Sequence, residues 1–326
     1  MRSLCIFSVL LLYSLMAKAQ VPNVTYGKIV QIANFRSKYV EPRNIDVWLP
    51  PGYVPSRKYA VLYLNDGQVL FDTTHTYNHQ EWGVDEEMKL LMENQQIRET
   101  IVVGIDNTSS RWQEFFPAKV FNALTPAWRD SLLNGMHMRG VKVKSDLYLK
   151  FIVTELKPYI DSVYSTNKDL TATFIGGSSI GALVALYAVC EYPKIFGGAA
   201  CLSTHWPGGN FGGPDNKIVS QGINNYLKTR LPPPANHRFY FDYGTEFIDK
   251  FFGPYQDMID QTMKAKGYTS KNLLSMKIYG ADNSEKSISS RLGAPFYFLL
   301  KKSDQNAIDP GPINFIKQKK SKINSN

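Results

Sequence analysis

Histidine, cysteine and long apolar runs are scarce in this 326-residue chain, and each scarcity excludes something. There are five histidines and three cysteines. His75 and His79 have a spacing that suits a metal, but no carboxylate or further cysteine completes a recognisable ligand set, so no metal and no cofactor is expected. Only one apolar run is long, Leu4 to Met16. It is short for a bilayer span and nothing comparable follows it, which argues against stable membrane insertion. The net charge of +9 is not accompanied by an aromatic-basic stripe or a nucleic-acid motif, so nucleic acid is not an expected partner. Part of that charge comes from Lys317, Lys319, Lys320 and Lys322, which read as a solvated tail. No internal repeat and no second domain is evident.

What is present begins with Arg2, the apolar run, and Ala17-Lys18-Ala19. This pattern predicts a signal peptide over residues 1–19, with cleavage before Gln20 and a secreted or periplasmic protein. Residues 20–302 read as one domain and residues 303–326 as a polar, basic tail. With 44% hydrophobic and 13% aromatic residues, the chain can bury a large core. Cys5 leaves with the signal; Cys190 and Cys201 lie in apolar stretches and read as buried free thiols, although export would permit a disulfide. The oligomeric state stays open.

The segments Lys28 to Phe35 and Asn44 to Leu49, followed by Pro50, Pro51 and Gly52, predict an opening hairpin. Beyond them, short apolar runs alternate with helical periods. Strands are expected at Tyr59 to Leu64, Ile101 to Ile105, Thr171 to Ile175, Gly198 to Leu202, Arg238 to Tyr243 and Leu274 to Tyr279. Helices are expected at Trp82 to Met92, Ser145 to Tyr159, Ile180 to Tyr192, Gly253 to Lys266 and Ser289 to Leu300. This alternation predicts an α/β fold: a mostly parallel, doubly wound sheet with helices on both faces. Residues 107–144 and 207–236 read as long irregular stretches overhanging the strand ends where such sheets bind ligands.

The sharpest local signal is Gly177-Ser178-Ser179-Ile180-Gly181, set between an apolar strand and an apolar helix. This is GxSxG in strand-turn-helix context: the glycines permit a sharp turn, and the middle residue, Ser179, projects over the sheet edge as a candidate nucleophile. The following helix aims its N-terminal N–H groups at the place where an oxyanion would form, making Ile180 one expected donor. The second is expected from Asn65-Asp66-Gly67-Gln68, with Gln68 favoured. The alternative reading of the motif is a tight turn with a capping serine.

The segments Val61–Gln68, Ile101–Asp106, Phe151–Tyr159, Phe174–Tyr187, Phe239–Glu246 and Tyr279–Glu285 together resemble, in order and spacing, the esterase D and enterobactin-esterase-like family of α/β-hydrolases. One small departure is Ala182, where the family often has a second glycine. The resemblance implies an α/β-hydrolase fold and a carboxylic-ester hydrolase using Ser, an acid and His in that chain order. The acid should follow the strand ending at Tyr243, where Asp249 and Glu246 are the candidates and Asp249 is favoured; either could instead cap the next helix. The histidine should stand in a Gly-Ala-Asp-His-Ser-Glu type of motif, where this chain has Asn283. An amide cannot take and return the serine proton near neutral pH as imidazole does.

Two functions follow. One is a serine hydrolase of small-molecule or carbohydrate esters with impaired turnover; the other is a catalytically silent ligand- or carbohydrate-binding protein of the same fold. Acyl transfer to an acceptor other than water would use the same residues. Asp66, Trp82, His205 and Trp206 are the candidate substrate contacts, and His205 is also the one candidate replacement base.

Overall fold

A computed structural model describes residues 21–209 and 215–302; the expected signal peptide and the expected C-terminal tail lie outside the described residues. The strands are β1 (Lys28–Phe35), β2 (Arg43–Leu49), β3 (Ala60–Asn65), β4 (Thr100–Ile105), β5 (Thr173–Ser178), β6 (Gly198–Leu202), β7 (Arg238–Gly244) and β8 (Leu273–Ile278). They form one sheet in the order β1-β2-β4-β3-β5-β6-β7-β8. Strand β2 pairs antiparallel with both β1 and β4, and every other pairing is parallel. The expected mostly parallel, doubly wound architecture is therefore the one observed.

Strands β3 to β6 are buried along their whole length, which explains their unbroken apolar sequences: both faces are covered. Because successive side chains alternate, Val61 and Tyr63 enter one core layer while Leu62 and Leu64 enter the other. The helices are α1 (Val84–Glu93), α2 (Arg111–Phe115), α3 (Ala118–Ala123), α4 (Pro126–Gly135), α5 (Ser145–Phe151), α6 (Lys157–Val163), α7 (Ile180–Glu191), α8 (Asp215–Arg230), α9 (Gly253–Ala265), α10 (Glu285–Ser289) and α11 (Gly293–Leu300). Helices α1 and α11 cover one face, and α2 to α9 cover the other. Helix α7 is buried from Ile180 to Cys190, as a helix that is apolar all round must be. Cys190 and Cys201 are buried free thiols. Among the described residues no helix is long and apolar enough to cross a membrane.

Three sequence expectations need correction. The helix expected from Ser145 to Tyr159 is interrupted by a wider turn at Ile152–Leu156 before α6 resumes. Residues 107–144 are not irregular: they fold into α2, α3 and α4, short pieces whose starts are marked by Pro117 and by the Thr125 side chain capping Trp128 ahead of Pro126. Most of 207–236 is α8, whose Val219, Ile223 and Leu227 form one buried stripe despite the poor helix formers around them.

Candidate active site

Backbone strain marks one edge of the sheet. Asp66 follows β3 with φ 62°, Ser179 follows β5 with φ 58°, Ser203 follows β6 with φ 42°, and Phe247 lies just past β7 with φ 48°. None is glycine, and side chains in this region of φ cost free energy that the surroundings must offset. All four lie at the carboxyl ends of parallel strands, where doubly wound sheets bind ligands.

Ser179 has φ 58° and ψ −121° and stands directly before α7. Its N–H donates to the Leu202 carbonyl (2.9 Å), and its own carbonyl accepts from the N–H groups of Ala182 (3.2 Å) and His205 (3.2 Å). The backbone is thus fixed from three sides, while the half-buried hydroxyl has no hydrogen-bond partner among the described residues. The turn requires its glycines. A Cβ on Gly177 would lie 2.7 Å from the Gly181 carbonyl oxygen, and one on Gly181 would meet Asp66 Oδ2 at 3.0 Å.

The loop after β3 abuts this elbow. Asn65 Nδ2 donates to the Gly181 carbonyl (2.9 Å), and Tyr148 donates its hydroxyl proton to Asn65 Oδ1 (2.7 Å). The N–H groups of Ile180 and Gln68 have no acceptor among the described residues. Gln68 uses its side-chain Oε1 to accept from the Asn107 N–H at 3.2 Å. Asp66 is committed elsewhere: Arg111 grips both carboxylate oxygens (2.6 and 2.7 Å) and Asn107 donates to Oδ1 (2.5 Å). These contacts tie the β3 loop to α2.

Of the two acid candidates, Asp249 is fully buried and Glu246 is exposed. Asp249 Oδ2 accepts from the Ser203 hydroxyl and from the Gly244 N–H (2.8 Å), while buried Oδ1 has no partner. Burial pushes the Asp249 carboxyl above its ordinary range, partly opposed by the hydrogen bonds from Ser203 and Gly244 and by the charge of Arg291. Among the described residues the Glu246 carboxylate accepts only from the neighbouring Thr245 hydroxyl (3.1 Å), and its N–H donates to the Ala281 carbonyl (3.0 Å). Asn283 is half-buried, and its amide makes no hydrogen bond among the described residues.

The loop carrying Asn283 leans on the end of β7 at Gly244, where a Cβ would lie 1.9 Å from the Ala281 carbonyl oxygen and 2.8 Å from the Asp282 nitrogen. Gly244→Ala must therefore push the two loops apart. It is expected to destabilise the protein by about 3 kcal/mol, read as a lowered urea midpoint at unchanged slope. An unaltered midpoint would show that these backbones have room to spare.

His205 does not suit the work of a base. Its Nε2 lies 2.8 Å from the Gly209 carbonyl oxygen, and burial holds its pKa down at about 4. Trp82 and Trp206 are 2% and 1% exposed and belong to the two core layers, so neither lines a cleft; the Trp206 indole N–H is taken by Gln256 Oε1 at 3.1 Å. Trp112 and Tyr243 remain half-buried near the strand ends, with Trp112 stacked on Phe116 at 4.9 Å.

Sequence reasoning missed Ser203, Asp242 and Arg291, which form a buried network behind Asp249. The one available signal was an arginine set directly before the apolar stretch from Leu292 to Leu300.

Asp106, directly after β4, gives a pH prediction. Burial and the nearby charge of Asp46 raise its carboxyl to about 7. Below its ordinary value near 4 it is protonated in both states. Between about pH 4 and 7 the unfolded chain ionises while the folded chain keeps its proton, so stability falls as pH rises across that window. Asp106→Asn should flatten that part of the slope of Tm against pH; an identical slope in both proteins would contradict it.

Residues 37–310 match the family described as "Putative esterase". The uncharacterized protein YbbA of Bacillus subtilis (strain 168) is 23% identical over 239 residues, covering 71% of this chain and 82% of that one. Among solved structures, the ferulic acid esterase AmCE1/Fae1A of Anaeromyces mucronatus superposes with a TM-score of 0.57 at 19% identity, over 85% of this chain and 90% of that one. The enterobactin esterase FES of Shigella flexneri, solved in the presence of enterobactin, gives a TM-score of 0.60 at 17% identity, over 85% of this chain. This chain spans only 60% of that protein's length. At these identities the structures speak for a shared fold.

Proposed function

The chain belongs to this esterase family, and from that premise we propose that it is a serine carboxylic-ester hydrolase in which Ser179 attacks the carbonyl and Asn283 occupies the place of the base. The observation that carries this reading is the strained Ser179 backbone, fixed by hydrogen bonds on three sides while the hydroxyl is left unpaired. Strain persists only where the surroundings enforce it, and here it presents an alcohol at the start of a buried helix. The Ile180 and Gln68 N–H groups serve as oxyanion donors, since neither has another acceptor among the described residues. Asp249 is the acid that would orient a base at position 283.

Aromatic-acid esters are the proposed substrate class. Fold relatives are named for ferulic acid and for enterobactin, and Trp112, on the helix that Arg111 ties to the β3 loop, offers a half-buried ring. Residues 1–19 are proposed as a cleaved signal peptide, which would take the enzyme to material outside the cytoplasm.

Asn283 supports a second reading, a silent ligand-binding protein that keeps the cleft and has lost proton transfer. Incubating the full chain with methyl ferulate separates the two. Slow ferulate release that disappears in Ser179→Ala supports the hydrolase. Calorimetric binding without any release supports the silent protein, and release that survives Ser179→Ala contradicts the hydrolase reading.

A further inference from the structure

The Arg291 guanidinium is 1% exposed and touches three separate segments at the site. Its Nε donates to Asp242 Oδ2 in β7 (3.2 Å), and its Nη2 donates to the hydroxyl of Ser203, directly after β6 (2.7 Å). Its Nη1 donates to the Asp282 carbonyl (2.8 Å) and to the Ser287 hydroxyl (2.8 Å), on either side of Asn283. An ammonium could not reach these partners, because they are spread around a planar fork.

The direction of these bonds is forced. Arginine has no acceptor, so the Ser203 oxygen must accept from Arg291 and spend its single proton on Asp249 Oδ2. With the Gly244 N–H also on Oδ2, the acid is held by one oxygen and the other is left unpaired. The same guanidinium grips the backbone next to position 283. The charged groups around Asp249 are Arg291, from the segment before α11, and Asp242 at the end of β7.

We propose that Arg291 is a positioning residue that holds the acid and the base slot as one unit. Through Ser203 it fixes Asp249 with Oδ1 reserved for a donor from position 283, and through Asp282 and Ser287 it fixes the loop that carries that position. This rests on the hydrolase reading for its catalytic meaning, but its geometry can be tested apart from activity.

Two measurements test it on the full chain. The first is 13C NMR titration of the Asp249 carboxyl, assigned with Asp249→Asn. Ser203→Ala should move its midpoint upward by about one unit because it removes a donor from the ionised acid, and Arg291→Lys should move it the same way because the fork that aims the Ser203 proton at Asp249 is lost. Midpoints that stay put overturn the proposal, even if the chain proves inactive.

The second measurement uses the Asn283→His protein. Each change should lower kcat for p-nitrophenyl acetate about tenfold or more with KM nearly constant, and should move the acidic limb of the pH profile upward. These effects should vanish when Asp249→Asn is already present. Effects that multiply fully with Asp249→Asn would overturn the proposal by showing that Arg291 supports only the fold. Ser203→Ala, which keeps the arginine, decides the matter alone if Arg291→Lys fails to fold. An inactive Asn283→His protein would count against the hydrolase reading, and the titration would still decide for or against Arg291.

Discussion

Asn283→His is expected to raise kcat for p-nitrophenyl acetate by about 10³- to 10⁴-fold over the chain as it stands, the range by which loss of a triad member lowers turnover elsewhere. Three features favour so large a gain. The Ser179 hydroxyl and the Asn283 amide have no hydrogen-bond partner among the described residues, so no competing contact has to be broken. Asp249 Oδ1 is buried and unpaired, which suits an imidazole Nδ1–H and leaves an amide no way to relay the proton. The gain should grow as pH rises through about 6 to 7, because only neutral imidazole accepts the serine proton. A gain of less than tenfold, or one without that pH dependence, would mean that the three groups do not converge on a substrate.

In the Asn283→His protein, adding Asp249→Asn should lower kcat by about 10³- to 10⁴-fold, since an amide at the acid position favours the wrong imidazole tautomer. Glu246→Gln in the same background should change kcat by less than about twofold. Glu246 is exposed and, among the described residues, accepts only from Thr245, whereas Asp249 is anchored by Ser203 and Gly244. Steady-state kinetics on the two variants checks both statements. The opposite ranking would transfer the acid role to Glu246.

Much of this was legible in the sequence because the fold writes itself in unbroken apolar runs. Strand β6 and helix α7 are buried on all sides, so their sequences carry little ambiguity, and the glycines around Ser179 announce a turn that larger residues would obstruct. What was hidden depends on partners far apart in the chain. Asp66 reads as a free carboxylate until Arg111 is folded against it, and Ser203 reads as an ordinary loop residue until Arg291 arrives from 88 positions away. Trp82 and Trp206 read as substrate contacts, yet both indoles are buried in the core. Helix α8 escaped notice because its asparagines and Gly222 weaken local propensity, and its stability comes from packing against α3 and α9.

The account stands on Ser179 being an accessible, attackable alcohol. Treating the Asn283→His protein with a fluorophosphonate and mapping the adduct by peptide mass spectrometry tests this most directly. The label is expected on the peptide containing Ser179 and should disappear in Ser179→Ala. A label on another residue, or one that persists without the Ser179 hydroxyl, would contradict it.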